Sequence, residues 1–369
     1  MDWQGVEVEV EVPCTRRHKH LVRLRFIGWG EYEVAYNPCM ESPNLDSRRQ
    51  APCVRYLLEK FPQRFRDDSD LKSRLLDALQ AAGSPATPAL IRALEDTDHN
   101  IRERACLALG KGGDLRAVPA LIQQLGDRGE YIAWAASRAL AEFGAPAVPE
   151  LLQALKHENK SVRAGICGVL GEIGDAHAVP ALIKRLRDSS VDVRLAASRA
   201  LGEIGDARAV PALIETLPDV DYWVTKEACR ALVRIGISAV PALIQATQDN
   251  DLSVRVESCV ALGQIGDSRA VPALVRATGD PQKWVRAAAC EALGQIADSC
   301  AVPVLIQALD DSEEEVRVAA CEALGKIGDP AAIPYLRRVV AKDRICASRA
   351  KKAITQIRAA QTPNSTPEV

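Results

Sequence analysis

The residues with most scope for chemistry in this sequence are five histidines, eleven cysteines and a few large aromatics. Cys14, His18 and His20 lie together near the N-terminus, with Cys39 and Cys53 further on. Thiolate and imidazole are ligands that zinc favours, so these five can be drawn as a metal site. The spacing Cys-x3-His-x-His fits no standard zinc pattern. The simpler reading is a basic loop, Arg16-Arg17-His18-Lys19-His20, joining two strands. No metal is expected. The same loop makes a local basic patch suited to phosphate or an acidic partner. His157-Glu158 is the single His-Glu pair, and it falls in a turn between helical segments. There is no phosphate-binding loop, no Gly-x-Gly-x-x-Gly after a strand and no Ser/His/Asp arrangement. No catalytic residue is assigned.

Six of the remaining cysteines point to packing. Cys106, Cys167, Cys229, Cys259, Cys290 and Cys321 each stand four residues before one shared position. That position holds Gly110, Gly171, Val233, Gly263, Gly294 or Gly325, and Ser137 and Ser198 fill the cysteine slot elsewhere. A slot that accepts Cys or Ser wants a small side chain, and free cysteine behaves as a small buried hydrophobe. These six are expected to be reduced packing residues of a cytoplasmic protein.

The elements that must position all this repeat at a fixed period. A proline within Ala-Val-Pro-Ala-Leu-Ile recurs at Pro88, Pro119, Pro149, Pro180, Pro211, Pro241, Pro272, Pro303 and Pro334. The intervals are 31 residues except for two of 30, ending at Pro149 and Pro241. Within residues 175–205, Asp175 is placed to cap a first helix and Pro180 falls in its opening turn, where a missing N–H costs little. Val179, Leu182, Ile183 and Leu186 form one apolar stripe. Asp188-Ser189-Ser190 is placed to cap a second helix, where Val193, Ala197, Leu201 and Ile204 form the next stripe, and Gly205 ends it. Two short amphipathic helices cannot bury both stripes alone, so neighbouring pairs must stack.

The pattern predicts about ten helix pairs between residues 51 and 360, including a degenerate pair at Val54–Phe61 and Leu71–Gly83. Ile345–Ala360 reads as a capping helix with Lys351, Lys352, Gln356 and Arg358 outward. Residues 361–369 read as a disordered tail. Residues 1–50 differ. Val6–Val12 alternates Val with Glu, and Leu21–Phe26 and Glu31–Val34 alternate too, which predicts a small β-ribbon whose glutamates face arginines across the strands. The composition is 47% hydrophobic but only 4% aromatic, with a net charge of −2 from 47 basic and 49 acidic residues. That balance argues against a dedicated nucleic-acid binder. No apolar run is long enough to span a membrane.

The motif Asp-x-x-Val-Arg-x-x-Ala-x-x-Ala-Leu-Gly-x-Ile-Gly-Asp-x-x-Ala-Val-Pro-x-Leu-Ile, over roughly residues 84–357, resembles the HEAT-like repeat named after phycobilisome lyases. The resemblance implies an all-α fold, a right-handed α-solenoid, whose second helices line a concave binding surface. It implies a non-enzymatic scaffold or adaptor for a protein partner, with no cofactor. The alternative is a phycobilin lyase or bilin chaperone, whose ligand would be a bilin. Deoxyhypusine hydroxylase has similar repeats, with His-Glu iron ligands on successive helices. Here those slots read Arg-Ala or Arg-Val.

The recurring arginine of Val-Arg is expected to set register by pairing with turn aspartates such as Asp188 or Asp311. The informative places are the breaks. Ala133 and Thr225 replace that arginine in the two 30-residue repeats, which also lack the Asp after Gly144 and Gly236. Tyr131, Trp223 and Trp284 share a position that elsewhere holds Asn100, Ser161, Asp192, Ser253 or Glu315. A slot that takes Ser, Asp or Glu faces solvent, and aromatics there are candidate anchors for a partner. Trp134 and Tyr222 join them, with Arg199, Arg230, Glu291 and Glu322 as the polar surround. The N-terminal ribbon is a candidate second contact.

Overall fold

The computed structural model describes residues 6–15, 18–28, 31–36, 87–127 and 129–361. The pair expected at Val54–Phe61 and Leu71–Gly83 lies outside the described residues. So do Arg16, Arg17, Cys39, Cys53 and the tail after residue 361. The chain divides into two compact units, residues 1–173 and 174–369.

In the first unit, β1 (Val6–Thr15), β2 (His18–Gly28) and β3 (Glu31–Tyr36) pair in that order, all antiparallel. Glu7 stands opposite Arg25 and Glu9 opposite Arg23 in the β1–β2 register. Three helix pairs follow: α1 (Thr87–Ala93) with α2 (His99–Gly112), α3 (Val118–Gln124) with α4 (Glu130–Phe143), and α5 (Val148–Ala154) with α6 (Lys160–Ile173).

The second unit is six further pairs. These are α7 (Val179–Arg185) with α8 (Val191–Ile204), α9 (Val210–Ile214) with α10 (Tyr222–Ile235), and α11 (Val240–Ala246) with α12 (Leu252–Ile265). Then come α13 (Val271–Ala277) with α14 (Lys283–Ile296), α15 (Val302–Ala308) with α16 (Glu314–Ile327), and α17 (Ile333–Lys342) with α18 (Ala347–Gln361). The described residues thus hold nine pairs.

One repeat shows how the sequence builds the pair. Asp175 does cap, but it caps a 3-10 turn at Ala176–Ala178 ahead of the helix: its Oδ1 accepts the His177 N–H at 2.9 Å. The turn satisfies donors that α7 would otherwise leave bare, and Pro180 then sits in the first turn of α7. Before α8, Ser190 is the N-cap residue but its hydroxyl forms no cap bond. Asp188 instead accepts the Ser190 N–H at 3.0 Å, which tightens the turn from outside. Val193, Ala197 and Leu201 are fully buried, and Gly205 closes α8 at φ 72°.

The second helices of successive pairs touch through a small-residue slot. A Cβ added to Gly294 would lie 2.5 Å from the Cα of Ala323, and one on Gly263 would lie 2.7 Å from the Cα of Ala292. Nothing larger than glycine fits without parting the helices. All six cysteines of the repeated slot are buried. Burial pushes the thiols of Cys106, Cys229, Cys259, Cys290 and Cys321 up to about 12, so they pack as apolar groups.

The recurring arginine joins neighbouring repeats. Arg286 donates through Nη1 to the Asp280 carbonyl of its own turn at 3.0 Å, and through Nε to Asp311 of the next turn at 2.8 Å. Arg194 holds Asp219, Arg255 holds Asp280 and Arg317 holds Asp343 in the same way, and Arg102 lies 3.4 Å from Asp127 in the first unit. Each guanidinium is mostly buried, so its five donors replace water as the partner of two turns at once.

Arg286→Ala is expected to lower unfolding free energy by about 2 kcal/mol at pH 7, since it strips charged hydrogen bonds from two turns. The hydrogen bond from Arg286 is the main cause that holds the Asp311 carboxyl below the usual range. This stabilisation is present above the ordinary carboxylate pKa and is lost as pH falls through the lowered one. The gap between parent and variant should therefore narrow below about pH 4, read by urea titrations at several pH values. A second test uses Ala297, which stands at φ 59° where sister repeats place glycine. Ala297→Gly should stabilise by about 1 kcal/mol in the same titration, because a Cβ is strained in the left-handed region.

Candidate partner-binding site

All five aromatics named from the sequence are exposed: Tyr131 by 73%, Trp134 by 53%, Tyr222 by 62%, Trp223 by 62% and Trp284 by 53%. Tyr131 and Trp134 belong to the first unit and the other three to the second. Tyr131, Trp223 and Trp284 are each the second residue of their helix, where the side chain leans over the preceding turn. Cations steady several of the rings: Arg138 lies 5.6 Å from the Trp134 ring, Lys226 lies 5.5 Å from Tyr222 and Lys283 lies 5.0 Å from Trp284. Tyr222 and Trp223 meet edge to face, with ring centres 5.4 Å apart.

The four charged residues named with them do not form one surround. Arg230 follows Trp223 by seven residues and Glu291 follows Trp284 by seven, which keeps each on its aromatic's helical face. Arg199 and Arg230 instead converge on Glu227, at 3.4 and 3.2 Å, with Arg234 at 3.6 Å. Glu291 and Glu322 make an acidic end. Partial burial raises the Glu291 carboxyl above its usual value, and the charge of Glu322 adds to the rise. Glu322 itself pairs with Arg349 at 2.9 Å.

The network that organises the site is one the sequence motifs do not single out. Glu227 and Glu257 are only 3% and 6% exposed. They occupy a slot that reads Arg104, Ala135, Gly165, Ala196, Ala288 or Ala319 in other repeats. That contrast was the available signal: a carboxylate where most repeats place alanine or glycine. A buried charge must be paired. Glu257 takes Lys226 at 2.5 Å through Oε1, while its Oε2 is buried with no hydrogen-bond partner among the described residues. Burial works to depress the Lys226 ammonium, but its hydrogen bond to Glu257 and that carboxylate's charge outweigh burial, and the net shift is upward.

Two sequence departures make room for this pair. Val233 fills the glycine slot of α10, so α10 and α12 lack the close approach that Gly263 and Gly294 allow. Thr225 replaces the ladder arginine. Its hydroxyl donates weakly to the Asp219 and Asp221 carbonyls, at 3.3 and 3.4 Å, and reaches no aspartate of the next turn. The result is a cleft of about 460 Å³. Val220, Tyr222, Leu252 and Trp284 supply exposed apolar walls, and Thr225 and Glu257 line it as polar groups.

Comparison with known families agrees with the repeat geometry. Models of HEAT repeats match residues 58–141, 118–192, 148–232, 211–284 and 276–355. The chain belongs to the HEAT-repeat family. The match is to HEAT repeats in general and names no phycobilisome lyase. Among solved structures, the chain is similar to Kap121p, with 13% identity and a TM-score of 0.55, over 86% of this chain and 48% of that one. It is similar to the Kap95 of a Kap95:Nup1 complex, with 15% identity and a TM-score of 0.52, over 87% of this chain and 52% of that one. It therefore spans about half the length of each, and at such identity the likeness shows the fold alone, a helical-repeat solenoid. Human deoxyhypusine hydroxylase matches at 25% identity over 66% of this chain and 97% of its own, but its TM-score of 0.31 is too low to carry an argument. Among the described residues no three His, Cys, Asp or Glu side chains cluster as a metal site would need, and no helix is long and apolar enough to cross a membrane. No curated protein matches this sequence.

Lys226→Met should lower stability by about 3 kcal/mol at pH 7, because it leaves a buried carboxylate uncompensated. The double variant Lys226→Met/Glu257→Leu should recover most of that loss, since it removes both charges. Urea denaturation of the two variants and Glu257→Leu alone completes the cycle. A double variant no better than Lys226→Met would show that the pair is not the reason.

Proposed function

We propose that this chain is a protein-binding scaffold whose anchors are the aromatics at the starts of the second helices. One observation carries the reading. A single repeat position alternates between small polar residues and large aromatics, and the aromatics stand in solvent. Exposed Trp and Tyr are costly to leave wet and are the side chains that dominate protein interfaces. The recognition is by a largely preformed surface, with no covalent step and no cofactor. Tyr222, Trp223 and Trp284 form the main contact of the second unit, with Arg199, Arg230, Glu291 and Glu322 setting charge preference at its two ends. Tyr131 and Trp134 give the first unit a contact of the same kind.

The likeness to Kap95, which forms a complex with Nup1, supports a scaffold reading, because the same helical repeat serves a protein partner there. The reading extends to a partner seated on the concave face of a right-handed solenoid in the cytoplasm, with the N-terminal ribbon of residues 1–50 as a second contact. No observation favours the bilin lyase.

The test is affinity capture from native lysate with the parent chain and a Tyr131→Ala/Trp223→Ala/Trp284→Ala variant, with the fold checked by circular dichroism. A partner held by the parent and at least tenfold depleted on the variant is the expected outcome; hot-spot truncations of roughly 2 kcal/mol each make that a conservative figure. Equal capture by both would remove the aromatics from the interface.

A further inference from the structure

The aromatic-walled cleft lies where the arginine ladder is broken. In the second unit, Arg194, Arg255, Arg286 and Arg317 each link their own turn's carbonyl to an aspartate of the next turn. The slot between them at residue 225 is threonine. Its hydroxyl touches the carbonyl of Asp219, the group a ladder arginine would take, but cannot extend further. By the register of the ladder, Asp249 is the aspartate left over, but it lines a separate hollow with Arg255 and Arg276. It is exposed, its Oδ1 accepts the Asp251 N–H at 2.8 Å, and no cation among the described residues pairs with it. Glu257 does line the cleft, and its Oε2 is an acceptor that nothing among the described residues uses.

These groups share one preference. The Asp219 carbonyl and Glu257 Oε2 are acceptors, and the described residues that line the cleft offer no free cation to match them. Tyr222 and Trp284 line it and are exposed, each with a lysine already near its ring, and such rings suit a flat cation. An ammonium has three donors about a point, whereas a guanidinium has five in a plane. The guanidinium can therefore stack on a ring while donating at its edges. Where the arginine is present, a guanidinium from within already joins the own-turn carbonyl to a carboxylate of the next turn.

We propose that the cleft receives an arginine side chain of a protein partner, which takes up the turn carbonyl that the missing ladder arginine leaves to Thr225. The inference rests on the reading of this face as a protein-binding surface and names what the surface reads. The incoming guanidinium stacks between Tyr222 and Trp284 and donates to the Asp219 carbonyl and to Glu257 Oε2. Oε2 is covered, so the side chains at the mouth part as the arginine enters. Lys226 keeps Oε1 and prevents the carboxylate from standing unpaired before the partner arrives.

The probe is N-acetyl-arginine amide, titrated into the full chain while the indole N–H signal of Trp284 is followed by NMR and assigned with Trp284→Phe. A saturable shift at millimolar probe is expected, with the neutral citrulline analogue giving none and the lysine analogue a weaker one. Glu257→Gln should weaken the response roughly tenfold, in line with loss of one charged hydrogen bond. Thr225→Arg should abolish it and raise the thermal midpoint, because the ladder is then completed from within. Equal response to citrulline, or an undiminished response in both variants, would overturn the proposal. If Thr225→Arg does not fold, Glu257→Gln decides alone. If the probe fails while lysate capture still depends on the aromatics, the arginine reading falls and the scaffold reading stands. If the probe binds as expected while capture ignores the aromatics, the cleft's preference for arginine stands and the aromatics lose their place as anchors.

Discussion

The structure depends on one hydrogen-bonding arrangement: an arginine that belongs to two turns at once. Short helices of seven and fourteen residues have little stability of their own. They persist because each apolar stripe is covered by the next pair, and the stripes stay in register only if the turns do. Arg286, with one edge on the Asp280 carbonyl and the other on the Asp311 carboxylate, converts a soft stack of apolar faces into a stack with a fixed step. The glycine slot adds a second constraint of opposite character. Gly294 lets Ala323 approach until almost nothing could be inserted, so the step is fixed by repulsion as well as by attraction.

The candidate site arises where both constraints are released together. In α10 the arginine is Thr225 and the glycine is Val233, and the repeat is one residue short after Gly236. In α4 the arginine is Ala133, the glycine is Ala141, and the repeat is short after Gly144. Gly144 and Gly236 take φ 63°, ψ −148° and φ 73°, ψ −136°, a region open only to glycine, where Gly205 and Gly266 sit in the ordinary left-handed well. The deleted aspartate and the altered glycine are one event, because the shortened connection must turn differently into the following helix. Both such repeats also carry paired aromatics at the start of the second helix. Each loosened repeat exposes aromatics, and Trp284 adds one from a repeat that keeps Arg286 and Gly294.

Much of this was legible in the sequence, for reasons that are local. The proline period, the closing glycines and the small Cys/Ser slot are each dictated by backbone geometry within one repeat, and the helices, caps and buried thiols follow from them. The exposure of Trp223 and Trp284 could be read because sister repeats place Ser, Asp or Glu there. Three things were not legible. The 3-10 turns capped by Asp175 and its equivalents look like helix starts in sequence, because an aspartate cap is the same whichever helix follows. Ser190 carries a capping residue's identity without the bond. Glu227 and Glu257 sit on the helix stripe as ordinary charged residues, and only the neighbouring helices show them buried, with Arg199 and Arg230 turned towards one of them.

The buried carboxylates bear on why the site exists. A helix that placed alanine at residues 227 and 257, as most of the others do, would pack as well and avoid the desolvation of two charges. Lys226 and the three arginines around Glu227 offset that cost, but Oε2 of Glu257 remains unpaired among the described residues. Such a group is expensive beside α10, which has given up its ladder arginine and its glycine contact. Stability alone favours the other repeats' solution at each of these positions. The departures make sense together when the repeat is read as a place held open, with acceptors set in advance for donors that arrive on another chain.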